Sequence, residues 1–258
     1  MATSSLLKAR IKKIQKHLGL TADGIIGPMT ISKLEQALNL KQDYSLKVSK
    51  QGLKAIIKHE ISSKAYYEKR LTKACWPGGN SGVTIGIGYD LGHATKTRIR
   101  SDLEGLVSDA TLEQLIKVAG KRGTKAKNLC NALCKTNIKV PYVAAEKLFY
   151  TRTLPDYAKK TRRIYPGIEK LPADAQTMLL SLVYNRGARL TGARRKEMLA
   201  IKKHVKKQDL NAIAKEFLSM KRLWQDKGLE GLLYRRDSEA KMIKKAKRKY
   251  KNSDIVYL

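Results

Sequence analysis

Apolar residues recur at helical spacing through most of the chain, and the interruptions divide it. Ile11, Ile14, Leu18 and Leu20 share one stripe with Gln15, and Ile31, Leu34 and Leu38 resume it after TADGIIGPMT. This spacing predicts a helix, a turn and a second helix. In the turn, Gly24 and Gly27 suit backbone with positive φ, Asp23 can bond its own backbone two residues on, and Pro28 suits the first helical position. Two helices this short enclose little core, so a third helix at the start, or close docking to a neighbour, is expected. Periodicity lapses in NLKQDYSLKV. The chain therefore divides into a first domain at 1–40, a linker at 41–48 and a second domain at 49–258.

The second domain opens with SKQGLKAIIKHE, where Ser49 is placed to cap a helix whose apolar face is Leu53, Ile56 and Ile57. Glu60 falls at the end of that helix. A carboxylate there meets the unfavourable end of the helix dipole, a placement poor for stability and suited to an acid. Residues 76–92, WPGGNSGVTIGIGYDLG, break the helical pattern with six glycines around a short alternation. Read as a hairpin, this stretch puts Val83, Ile85 and Ile87 on one face and Thr84, Gly86 and Gly88 on the other, leaving the second face nearly bare. From Ala110 onward helices are expected at 110–120, 124–135, 141–161, 173–186, 194–205, 208–222 and 229–248. The fold class is α+β and predominantly helical: a small three-helix domain, then a small β-hairpin element with a helical lobe.

Composition adds a constraint on partners. The formal charge is +32, from 54 basic and 22 acidic residues. That excess implies a polyanionic partner, either nucleic acid or an anionic cell envelope, and leaves a solvated charged surface as the plain alternative. Zinc knuckles, aromatic-interleaved RNP patterns and a helix-turn-helix signature are missing, so no specific nucleic acid is expected. No apolar run approaches the roughly 20 residues of a membrane span. The start also lacks a long apolar signal region, so synthesis as a soluble cytoplasmic protein is expected. Cys75, Cys130 and Cys134 are odd in number and do not suggest a disulfide framework. His17, His59, His93 and His204 are scattered, so neither a metal nor another cofactor is expected.

Glu60, Thr84 and Asp90 stand out as candidate chemistry. Glycosidic cleavage needs a protonated carboxyl for the leaving oxygen and a second carboxylate, helped by a hydroxyl, to orient water on the opposite sugar face. The acid in such a pair must hold its proton near neutral pH. Asp90 precedes Leu-Gly and so has turn formation as its alternative role. For Thr84 the plain role is that of a strand residue.

Two family resemblances bear on these residues. IQKHLGLTADGIIGPMTISKL resembles the short peptidoglycan-binding repeat of cell-wall hydrolases through Ile14, Gln15, Leu18, Gly19, Leu20, Asp23, Gly24, Gly27, Pro28, Thr30 and Leu34. The resemblance implies a shallow wall-binding groove at Asp23, Gly24 and Gly27. A helix ending in His-Glu, then SGVTIGIGYDLG, then a helical lobe resembles the phage-type lysozymes, especially their pesticin-like branch. That likeness implies an active site of Glu60, Thr84 and Asp90. Simpler phage lysozymes place their Asp between the Glu and the Thr, whereas Glu68 is the only acid in residues 61–83 here, which points to Asp90. TMLLSLVYNRGARL and GLEGLLYRRDSEAKMI resemble the core helix and closing segment of the same family. Tyr89 and Asn185 are the further candidates for substrate contact. Trp76 and Trp224 stay outside the set, because large aromatics serve cores as often as sugars.

Together the resemblances imply a muramidase, a glycoside hydrolase cutting the β-1,4 bond between N-acetylmuramic acid and N-acetylglucosamine. The same polymer is named twice, and the positive charge suits its peptide carboxylates and an anionic outer-membrane surface. The biological expectation is a monomeric phage endolysin that reaches the periplasmic wall through holes made by another protein. Lytic transglycosylation on the same polymer needs one Glu and no water-activating carboxylate, and a non-catalytic wall-binding protein is the third class. Inversion is expected if Glu60 and Asp90 stand roughly 6.5 to 9.5 Å apart. The basic tail MIKKAKRKYK is either a membrane-lying amphipathic helix or a solvated helix end.

Overall fold

A computed structural model describes residues 2–38, 46–136, 138–247 and 249–258. Its elements in chain order are α1 (Ala2–His17), α2 (Pro28–Ala37), β1 (Lys47–Ser49), α3 (Lys50–Ile61), α4 (Lys64–Arg70), β2 (Thr84–Ile85) and β3 (Tyr89–Asp90). The helices α5 (Lys96–Leu103), α6 (Asp109–Lys117), α7 (Gly123–Cys134), α8 (Tyr142–Leu148), α9 (Leu154–Ile164) and α10 (Ala173–Arg186) follow. Last come α11 (Lys196–Lys206), α12 (Leu210–Ser219), α13 (Glu230–Lys244) and β4 (Ile255–Tyr257). The fold is α+β and predominantly helical, as the periodicity indicates. No helix among the described residues is long and apolar enough to cross a membrane.

The chain forms two compact units, one of Met1–Ile56 with Pro155–Leu258 and one of Ile57–Leu154. In the first unit α10 is the central element, and every residue from Ala173 to Val183 is buried. Leu179, Leu182 and Val183 face inward as expected, and Gly187 ends the helix with φ 75° and its N–H on the carbonyl of Val183. Ser49 caps α3 by accepting the N–H of Gly52. Strand β1 pairs antiparallel with β4 in the register Lys47↔Tyr257, Val48↔Val256 and Ser49↔Ile255. The other edge of β1 is closed by side chains of α10, since Lys47 N–H donates to Gln176 Oε1 and Ser49 N–H to Thr177 Oγ1. This differs from the expected linker. Residues 41–45 lie outside the described residues, but Leu46 is fully buried and leads straight into the strand.

Further expectations for this unit are corrected. Within 1–40 the described residues form two helices, not three, and α2 packs on β4 instead. The buried hub of the helical pair is polar: Gln15 and Thr30 are buried, while Ile14, Ile31 and Leu38 are exposed. Gln15 Nε2 donates to Asp23 Oδ1, the carbonyl of Ile25 and Thr30 Oγ1, and Gln15 Oε1 accepts from Gly24 N–H. Asp23 bonds the N–H of Ile25 as foreseen and Gly24 has φ +79°, but Gly27 lies outside the positive-φ set and precedes Pro28 at the helix start. The basic tail is not a continued helix. α13 stops at Lys244, Tyr250 exchanges hydrogen bonds with Asp174, and the chain returns to pair as β4.

The second unit carries the hairpin and α4 to α8. Val83, Ile85 and Ile87 are buried, as the alternation predicts. The expected helix at 141–161 is instead α8, a π-helical turn at Phe149–Thr153 and then α9. Pro155 lacks an N–H to continue the α ladder, and the turn before it widens so that Leu154 N–H reaches Phe149 O. That turn presents Arg152, whose guanidinium holds the buried carboxylate of Asp102.

Candidate active site

Thr84 and Asp90 are register partners in the β2–β3 hairpin. Both backbone bonds of Thr84 go instead to Cys75 on its other side, with N–H to O and O to N–H. Thr84 and Asp90 are therefore a non-hydrogen-bonded pair, the kind whose Cα atoms approach to about 4.5 Å and whose side chains stand closest. Both are half-buried, so they share a partly open face. Glu60 belongs to the same unit, half-buried in the last turn of α3.

The carboxylate of Asp90 is committed to backbone. Oδ1 accepts from Gly92 N–H at 2.8 Å and Gly82 N–H at 3.1 Å, and Oδ2 lies 3.2 Å from Gly82 N and 3.8 Å from His93 Nε2. Asp90 thus caps the short 3-10 turn Leu91–His93, the turn role foreseen as its alternative. Gly82 and Gly92 make this possible by close approach: a Cβ on Gly82 would fall 2.3 Å from Asp90 Oδ1 and 2.4 Å from Gly92 Cα. Asp90→Asn keeps one acceptor oxygen and is expected to fold with a small loss of stability. Asp90→Ala strands buried N–H donors at about 1–3 kcal/mol each. Comparing Tm with specific activity in these variants checks the charge directly. A charge-dependent role removes activity in Asp90→Asn while Tm is nearly kept, and a purely structural role makes activity follow the folded fraction.

The bare strand face is not open at Gly86. A Cβ there would stand 2.9 Å from Ala145 Cβ of α8, and the residue has φ +59°. Gly86 is a packing and turn residue, which corrects the expectation of a bare face at this position. Gly86→Ala is expected to cost about 2–4 kcal/mol, from left-handed strain plus overpacking. Thermal denaturation measures it, and a loss below about 0.5 kcal/mol contradicts the contact.

Tyr89 is likewise corrected. It is buried, and its hydroxyl donates to Asp102 Oδ2 at 2.8 Å, so it braces the hairpin instead of meeting substrate. Asn185 lies in the last turn of α10 in the other unit and lines a cavity with Arg186 and Trp224. Trp76 donates Nε1–H to Ser81 O with Lys127 over its ring, and Trp224 is buried beneath Arg186. Two neighbours had no sequence signal as site residues. Cys75, an exposed residue, pairs across from Thr84, and partial desolvation with nearby Cys134 pushes its thiol up. His93 flanks Asp90. The three cysteines are free, and no metal-holding group of His, Cys, Asp or Glu occurs among the described residues.

A family model described as a domain of unknown function (DUF8812) matches residues 59–236. The chain belongs to this family. The DUF8812 match begins beside Glu60 and takes in Thr84, Asp90 and Asn185, while Asp23, Gly24 and Gly27 fall outside it. No curated protein matches the chain.

Proposed function

We propose that this DUF8812 protein is a muramidase that cleaves the β-1,4 bond between N-acetylmuramic acid and N-acetylglucosamine in peptidoglycan. Glu60 is the general acid, Asp90 orients water and Thr84 assists it, with inversion at the sugar. The observation that carries the reading is the side-by-side pairing of Thr84 with Asp90 on a half-open hairpin face, in the unit where Glu60 ends a helix. The remaining roles follow from it: a lysozyme-like domain without cofactor, a wall-binding module at 1–40, and an endolysin acting as a monomer at the periplasmic wall after release through a membrane pore. The exposed Ile26, beside Gly24 on the Gln15-braced loop, extends the proposed wall-binding surface. Release of soluble glycan from purified peptidoglycan tests the reading. Wild type should release it and Glu60→Gln should not.

One observation favours a second reading. Asp90 already spends its oxygens on Gly82 and Gly92 N–H groups, as a structural carboxylate does. If that is its whole role, Glu60 alone moves the proton and the reaction is lytic transglycosylation, with anhydro-muramic ends in place of reducing ones.

A further inference from the structure

The unit that holds α10 to α13 carries an arginine-lined cavity. Asn185, Arg186, Arg194, Arg195, Trp224 and Leu232 line an open cavity of about 240 Å³. Arg194 and Arg195 also line an adjoining cavity of about 330 Å³ with Arg189. None of the residues lining either cavity is acidic.

Positive charge is in excess here. Burial, then Arg195, Arg236 and Arg194, push the Arg186 guanidinium down to about 10, with Glu197 opposing. Glu197 is itself buried and its Oε1 is taken by Arg222 Nε at 2.5 Å. Unpartnered polar atoms lie nearby as well, among them Glu197 Oε2. Arg186 Nε is buried with no hydrogen-bond partner among the described residues, although NH2 of the same side chain donates to the carbonyl of Arg194. The hydroxyl of Tyr165 is also buried and unpartnered among the described residues, within electrostatic reach of Arg186 and Arg195. Buried donors are normally satisfied, and like charges gathered this closely repel, a cost that a bound anion would offset.

We propose that this cavity binds a phosphoryl group. A phosphate monoester brings close to two negative charges and three acceptor oxygens for the several guanidinium groups that line the cavity, whereas one carboxylate brings a single charge and two oxygens. Free phosphate and a phosphate-bearing lipid headgroup share this chemistry. The test of this site does not read peptidoglycan cleavage.

Trp76 and Trp224 are the only tryptophans, so full-length Trp76→Phe leaves Trp224 as a reporter in the cavity wall. Inorganic phosphate is titrated against it at constant ionic strength, with chloride as the balancing salt. A saturable fluorescence change is expected, with half-saturation raised at least tenfold by Arg194→Gln with Arg195→Gln. Lys203→Gln with Lys206→Gln removes equal charge from the exposed side of α11 and should leave half-saturation unchanged, and circular dichroism checks that each variant folds. Vesicles of phosphatidylcholine doped with phosphatidic acid separate the sources. Vesicle binding displaced by phosphate assigns a lipid headgroup to the cavity, and phosphate saturation without vesicle binding assigns free phosphate. A non-saturable response, or equal phosphate affinity in wild type and the arginine variant, overturns the proposal.

Discussion

Glu60→Gln is expected to lower the rate of peptidoglycan solubilisation by roughly 10²- to 10⁴-fold, the usual contribution of a positioned proton donor. Its effect on stability should be small, because Gln is close in size to Glu and the residue is half-buried in the last turn of α3. Activity and Tm measured on the same preparation check both halves. A variant that loses activity only as it loses fold would remove Glu60 from the chemistry.

Glu239→Gln is expected to have the largest effect on stability. Glu239 on α13 is buried, and Oε1 accepts from Ser181 Oγ at 2.6 Å and Arg235 Nε at 3.2 Å. Its Oε2 lies 2.6 Å from NH2 of Arg236, a side chain with no exposed surface that also faces the rings of Phe217 and Trp224. One carboxylate thus serves two buried guanidinium groups. Replacing it with a neutral amide leaves two buried cations without their counter-charge, a loss of about 3–5 kcal/mol. In a chain of this size that corresponds to a fall in Tm of roughly 10 °C. Thermal denaturation measures it, with Glu216→Gln as a control, because Glu216 is only partly buried and its ion pair is with half-buried His204 at 3.6 Å. A Glu239→Gln loss under 1 kcal/mol would mean that the two arginines are balanced by other groups.

Much of the fold was legible because it is written locally. Gly187 after an apolar run, Ser49 before one, and the alternation from Val83 to Ile87 each act within a few residues, and the corresponding caps and hairpin occur where expected. Contacts distant in sequence were not legible. Strand β1 has three residues and finds its partner at the far end of the chain, so no alternation could announce the pair. Gly86 looked empty because its neighbour, Ala145, lies on another helix. The compact units part within α3 and α9, which local punctuation does not mark, while the lapse of periodicity at 41–48 leads into a buried strand.

The candidate site divides in the same way. Thr84 and Asp90 pair because the three residues between Ile85 and Tyr89 close a tight loop, which the glycines at 86 and 88 announce. The use of Asp90 oxygens on Gly82 and Gly92 depends on two glycine backbones meeting, and the hydroxyl of Tyr89 turns inward because Asp102 waits there between Arg98 and Arg152. Residue type and spacing suggested candidates, and burial separated those facing solvent from those serving the core.

Mass spectrometry of the soluble products from purified peptidoglycan, digested in parallel by wild type, Glu60→Gln and Asp90→Asn, bears most directly on hydrolysis by the Glu60–Asp90 pair. Reducing muramic-acid ends from wild type, absent with both variants, are expected. Anhydro-muramic ends, or undiminished products from either variant, would contradict it.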